Sequence, residues 1–176
     1  MDDLLISIIA IGIATVLMFI FPLMTMSDRT DDISQLTVKL ATTEFVDQVR
    51  TSGKITLEDY SQLITNLGST GNTYSIEMEA KILDENPGRK ITNASGNTKI
   101  GENVYYSEYT SQILNKLDSA SGKITLKEGD RIYVEVSNEN STAAQTIKSS
   151  FLSFSNEGEK VIKADSSGMV TVNGVN

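Results

Sequence analysis

Leu4 to Met26 is a run of 23 residues that carries no charge, is almost wholly apolar, and has a proline at position 22. Wound as a helix it reaches roughly 34 Å, against a bilayer hydrocarbon core of about 30 Å. Everything after Met26 is polar enough to read as a water-facing domain. The chain divides into an apolar stalk and a soluble head, and any function has to use both.

The run is flanked by Asp2 and Asp3 on one side and by Ser27, Asp28 and Arg29 on the other. A cleavable secretion signal needs a basic leader, a shorter apolar core and a small-residue exit, and none of these is present. Arg29 is the only basic residue near the stalk, so the flanks do not set an orientation by their Lys/Arg balance. Either insertion has help from elsewhere, or a basic leader preceded Met1 and was removed.

Composition narrows the chemistry. With no Cys and no His, the chain lacks disulfides, soft metal ligands and a side chain poised to exchange protons near neutral pH. The formal charge of −8 and a pI near 4.6 argue against nucleic acid and against an anionic membrane surface as partners of the head. The residues left after the stalk, about 150, suffice for one domain with a single core.

The helical pattern continues past the stalk. Ile33, Leu36, Leu40, Ala41, Phe45, Val46 and Val49 recur at spacings of three and four, with Ser34, Gln35, Lys39, Glu44, Asp47 and Arg50 between them. That is an amphipathic helix packed on something. If Pro22 kinks the rod without breaking it, residues 2–51 form one helix of roughly 75 Å, with Gly53 as its stop. The expected organisation is a span over 1–28, an amphipathic continuation over 29–52, and a head over 53–176.

Within the head, Thr56 followed by Glu58 and Asp59 predicts an N-cap, and Tyr60, Leu63, Ile64 and Leu67 give the inner face of a helix ending at Gly68. Tyr74, Ile76, Met78, Ala80 and Ile82 alternate with Ser75, Glu77, Glu79 and Lys81, which predicts a strand. A turn is expected from Asp84 to Gly88, then an exposed polar stretch through Gly101. Next come a helix from about Tyr105 to Leu117 and a hairpin of Lys123–Lys127 with Arg131–Ser137 about Glu128, Gly129 and Asp130. Thr142–Phe154 fits helix or strand, with helix preferred. Two short strands, Lys160–Ala164 and Met169–Val172, complete an α+β head in which the long helix lies on an antiparallel sheet.

Gly-Lys-Ile-Thr-Leu occurs twice, at Gly53–Leu57 and Gly122–Leu126, each time after a Ser and a predicted helix. A chance match or a shared exit turn accounts for it better than a duplication, because the following residues diverge.

The amino-terminal half resembles the mature form of a type IV pilin or pseudopilin. The likeness rests on the apolar segment with Gly12 near its middle, Pro22, the amphipathic continuation to about residue 51, and the small β-rich head. It implies a helix that anchors the subunit in the membrane before assembly and then packs in a filament core. On that basis Leu4, Leu5, Ile8, Ile9, Ile11, Gly12, Val16, Phe19 and Pro22 are the expected filament-core residues. The partners it implies are further copies in a helical filament through residues 1–50, the membrane beforehand, and a pilus assembly machinery. The location it implies is the cell surface. The sequence departs from the family in having Leu5 where a glutamate is usual and Met1 where a phenylalanine is usual. With no acid at position 5, Asp2 or Asp3 is the candidate to compensate a buried amino-terminal charge; otherwise these two aspartates are simply the wet end of a transmembrane helix. Residues 44–74, with Val-Arg-Thr-Ser-Gly-Lys-Ile-Thr and Gly-Asn-Thr-Tyr, also resemble the small TadE-like, tight-adherence pilus proteins of Gram-positive bacteria. That points to an anchored assembly or binding component as the alternative.

No catalytic constellation emerges. The carboxylate pairs Asp2/Asp3, Asp31/Asp32, Glu58/Asp59 and Asp84/Glu85 fall at expected helix starts or in loops. There is no calcium-loop pattern and no phosphate-cradling glycine loop. Tyr105, Tyr106 and Tyr109 read as core and rim of one helix, since aromatics make up only 6% of the chain. Asn93-Ala94-Ser95 and Asn140-Ser141-Thr142 match the glycosylation acceptor pattern that Ser/Thr/Asn-rich chains produce by chance. The expectation is a protein that is not an enzyme and that uses no cofactor and no metal.

Overall fold

The computed structural model describes residues 2–84, 105–119, 121–152 and 162–174. Its first element, α1, spans Asp2–Ser52 and contains Pro22 without being ended by it. At the helical rise its 51 residues extend about 76 Å. Termination comes where expected. Gly53 turns left-handed at φ 66° while its N–H still reaches the Val49 carbonyl at 2.9 Å, closing the helix as glycine alone does without strain. A Cβ at this position would also collide with the Val172 carbonyl and with Gly174.

After β1 (Lys54–Thr56), helix α2 (Leu57–Gly68) begins on a capping box. The Asp59 N–H donates to the Thr56 hydroxyl at 3.1 Å and the Thr56 N–H donates to the Asp59 carboxylate at 3.2 Å, so two otherwise orphaned donors are satisfied. Leu63 and Leu67 are the buried side of α2. The remaining elements are β2 (Tyr74–Leu83), β3 (Tyr105–Tyr109), α3 (Thr110–Leu117), β4 (Lys123–Thr125), β5 (Arg131–Asn138), α4 (Ala143–Leu152) and β6 (Lys163–Met169).

The four longer strands form an antiparallel sheet in the order β3-β2-β5-β6. Its inner face carries Met78 and Ala80 from β2, Ile132, Val134 and Val136 from β5, and Ala164 from β6. Onto it pack Val38, Phe45, Val46 and Val49 of α1, and Ile113 and Leu117 of α3. The fold is α+β, a long amino-terminal helix followed by a small antiparallel-sheet head, as the alternation patterns required.

Three expectations are corrected. Residues 105–109 are not the first turns of a helix but strand β3, and α3 begins only at Thr110. Tyr105, Tyr106 and Tyr109 satisfy a helical spacing, yet β2 offers an open ladder opposite them, and pairing Leu83 with Tyr105 through Glu79 with Tyr109 satisfies more backbone than a free helix end. The hairpin is also different: β4 does not pair with β5 but with β1. Asp130, buried between them, accepts the Lys127 N–H at 2.7 Å and the Leu83 N–H at 2.8 Å, so the chain leaves one sheet and enters the other at that carboxylate. In the tail, the polar residues Asp165–Gly168 are the middle of β6 and not a turn between two strands. The polar stretch from 85 to 101, residues 153–154 and residues 160–161 lie outside the described residues.

The repeated pentapeptide has one structural use. Lys54, Ile55 and Thr56 pair with Thr125, Ile124 and Lys123. The ribbon is extended by Leu57 N–H to the Gly122 carbonyl at 3.1 Å and by Leu126 N–H to the Gly53 carbonyl at 2.8 Å. Gly53 and Gly122 both take positive φ, Gly53 at the exit of α1 and Gly122 in the turn that follows α3, its N–H donating to the Ser119 carbonyl at 3.0 Å, so each copy supplies a left-handed turn and half of a locally two-fold ribbon.

Candidate functional site: the outward face of the long helix

None of the most apolar window of α1 is buried against the head. Leu4, Leu5, Ile8, Ile9, Ile11, Val16 and Phe19 are all exposed, and Pro22 is exposed within the helix. At Gly12 a Cβ would meet nothing within 4 Å, and an apolar groove of about 440 Å³ runs past it along Ile9, Ile13, Val16 and Ile20. The few polar side chains of the stalk satisfy themselves: Ser7 donates to the Asp3 carbonyl at 2.8 Å, Thr15 to that of Ile11 at 2.8 Å, and Thr25 to that of Phe21 at 3.1 Å. Hydroxyls returned to the i−4 carbonyl in this way cost little in hydrocarbon. The segment is long and apolar enough to cross a bilayer. Asp3 is exposed.

The amphipathic half is held rigidly on the head by polar clamps that hydrophobic periodicity does not reveal. Gln35 uses its whole amide on one strand residue, donating to the Lys163 carbonyl at 2.6 Å and accepting the Lys163 N–H at 2.9 Å. Fifteen residues on, Arg50 donates to the Met169 carbonyl at 3.1 Å. The helix between them covers about 22 Å and β6 about 20 Å, so α1 runs along the outer edge of β6 and caps both ends of it. Gly168 lets this happen, because a Cβ there would run into the Arg50 side chain.

Nearer the stalk, the buried Asp31 accepts from the Thr142 hydroxyl at 2.6 Å, and Lys148 pairs with Asp28 at 2.6 Å. Asp31 and Asp32 thus sit in the interior of α1 rather than at a helix start. These two links seat α4 against α1 and point it down toward the stalk. The same geometry occupies one glycosylation triplet: Thr142 is buried and Asn140 accepts from the Thr73 N–H at 2.8 Å. The Asn93 triplet lies outside the described residues.

Clamped in this way, the amphipathic stripe divides into two. Val38 and Val49 are 0% exposed and Phe45 3%, whereas Ile33 is 67%, Leu36 57% and Leu40 60% exposed. At about 100° per residue, Ile33, Leu36 and Leu40 fall on the same side of the rod as Leu4, Ile8, Ile11, Met18, Pro22 and Met26. The ridge is interrupted by Thr15, whose hydroxyl is returned to the Ile11 carbonyl, and by Arg29. The head therefore covers one side of α1 and leaves an apolar line along the other, reaching well beyond any bilayer.

Among the described residues no group of three or more acids is placed to hold a metal ion. The largest titration shift belongs to Tyr133 on β5, whose hydroxyl donates to Glu135 at 2.7 Å. The bond to that carboxylate, with desolvation and the nearby charges of Glu135, Asp165 and Glu77, pushes its pKa up to about 12. No family model, curated protein or solved structure matches the chain.

Proposed function

We propose that this chain is the structural subunit of an extracellular type IV pilus-like filament, inserted in the cytoplasmic membrane through α1 before assembly and polymerising afterwards through the outward side of the same helix. The observation that carries the reading is the divided stripe. A chain that stays anchored as a monomer uses the apolar residues of its water-facing half on its own head. Here Ile33, Leu36 and Leu40 are left in water on a line that resumes the stalk's beyond Arg29, and scattered single exposed apolar residues do not produce such a line. Hiding what these three expose is worth about 1 kcal/mol each, so roughly 3 kcal/mol per subunit comes from beyond the bilayer. The stalk's roughly 20 apolar side chains, covered in the filament by neighbouring copies, hold it there against exposure to water at about 25 cal/mol per Å², while its packing against other helices replaces packing against lipid.

The groove at Gly12 supports close helix packing in the core, as small residues do where helices meet without water. Leu5, in place of an acid, favours the alternative of an anchored assembly or binding component, TadE-like in character, that does not itself polymerise.

Negative-stain microscopy of sheared cell surfaces decides between the two. Gly12→Trp and Ile8→Asp are expected to abolish filaments while the head keeps its circular dichroism and protease resistance. Filaments of normal length from either variant, or none from the wild-type chain, refute the polymer reading.

A further inference from the structure

We propose that the open face of the four-stranded sheet is a self-complementary surface that takes a second copy of this chain, face to face, about a two-fold axis running across the strands. This surface is opposite to α1 and separate from the stalk, so the inference does not rest on the filament reading.

Helices α1 and α3 both pack on the inner side of the sheet. On the other side Glu77, Lys81, Tyr109, Arg131, Lys163, Asp165, Ser167 and Met169 are all exposed. Cross-strand register sorts their charges into rows. Lys81 stands directly opposite Arg131, while Glu77 stands opposite Glu135, and Glu135 opposite Asp165. Like charges in opposed positions destabilise a sheet, and a free surface relieves this by alternating signs. This face does the reverse twice. Lys163 offsets part of the acidic row through its 2.7 Å pair with Glu135, and Glu79 lies 3.7 Å from Lys81, but the separation of sign persists.

Between the two rows runs a third, in which Glu79 lies opposite Tyr109 and Tyr133, and Tyr133 opposite Ser167. The charged rows are four residues apart, about 13 Å. A two-fold axis lying along the middle row carries each charged row onto the other: Lys81 of one copy then faces Glu77 of the next, and Arg131 faces Glu135. The same operation places Tyr133 and Ser167 against their own counterparts. An isologous contact of this type makes each of these two pairings twice, while Asp165 meets Met169 and Glu79 meets its own counterpart, its charge offset within each copy by Lys81 at 3.7 Å and by the Ser107 hydroxyl. The groove of about 650 Å³ bounded by Lys81, Arg131, Tyr133 and Met169 gives the incoming acids room.

The face measures roughly 19 by 20 Å, some 400 Å² per copy, against about 800 Å² per partner in a stable standard interface. A single contact is therefore weak, and becomes effective where many heads are displayed together.

The chain has no cysteine, so an introduced one is its sole thiol. Full-length protein carrying Ser167→Cys, held in detergent micelles at low ionic strength and treated with a short bismaleimide that spans the roughly 10 Å between facing sheets, is expected to give a covalent dimer in at least five-fold excess over a Ser61→Cys control on α2. Adding Lys81→Glu and Arg131→Glu is expected to abolish that excess. Further adding Glu77→Lys and Glu135→Lys, which exchanges the charges of both facing pairs, is expected to restore it. No excess over the control, an excess that survives the first pair of reversals, or a loss that the exchange does not restore each overturns the proposal. The last result would assign the cationic row to an anion from another source. Filament formation reads the stalk separately, so either idea can fail alone.

Discussion

Thr142 makes the most exacting test of how the head is fixed to its helix, because one hydroxyl has two tasks. It donates to the buried carboxylate of Asp31 at 2.6 Å and accepts the Gln145 N–H at 3.3 Å, while the Thr142 N–H donates to the Gln145 side chain at 2.9 Å. Thr142→Val keeps the shape and removes the hydroxyl. A hydrogen bond to a charged group contributes about 1.5–3 kcal/mol, and its loss here strands a buried carboxylate. Loss of the cap on α4 costs about 1 kcal/mol more. We expect the head to lose about 3 kcal/mol. In urea, with a slope of about 2 kcal/mol per molar, the midpoint falls by roughly 1.5 M at constant slope. The assay is far-UV circular dichroism of the full chain in detergent, where the micelle-held stalk gives a constant background. A double-mutant cycle with Asp31→Ala isolates the pair, and its coupling is expected at about 1.5–3 kcal/mol. Thr142→Ser keeps both bonds and is expected to remain within about 1 kcal/mol of wild type. A Thr142→Val loss below about 0.5 kcal/mol, or additive single mutants, would show that α4 is held by something other than this link.

Other expectations follow from the same geometry. Leu36→Glu combined with Leu40→Glu leaves the head's urea midpoint unchanged, since both residues face away from it, but shortens or abolishes filaments seen in negative stain; a lowered midpoint would place them in the core instead. Gly53→Ala is expected to cost more than about 2 kcal/mol, as left-handed strain adds to collision with backbone, whereas Gly71→Ala, at φ 77° in open space, costs about 1 kcal/mol; equal midpoints for the two in urea would contradict this. Tyr133 has its folded pKa raised from 10.0 to about 12, so its stabilising contribution is complete below pH 10.0 and is lost as pH rises through about 12. Tyrosinate absorbance should therefore show one late-titrating group that disappears in Tyr133→Phe and moves back toward 10.0 in Glu135→Gln.

What local pattern alone decided is the part of this protein whose physics is local. A bilayer-length apolar run, the three-and-four spacing from Ile33 to Val49, the Thr56–Asp59 box and the strict alternation of β2 each satisfy their own backbone or declare their own buried face, so α1, α2 and β2 appear within a residue or two of where periodicity puts them. Tertiary structure decided the rest, because an edge or short strand is defined by its neighbour's unpaired backbone and not by its own hydrophobicity. Tyr105–Tyr109 became β3 because β2 had a free side, and the polar Lys163–Met169 became β6 because β5 pairs with one edge while Gln35 and Arg50 cap the other. Lys123–Thr125 joined a distant copy of itself because the Asp130 carboxylate turned the chain between sheets. The candidate site shows the same division. Composition marks residues 4–26 as apolar, but which side of α1 the head would cover, and hence that Ile33, Leu36 and Leu40 would face outward, depends on clamps between residues more than a hundred positions apart.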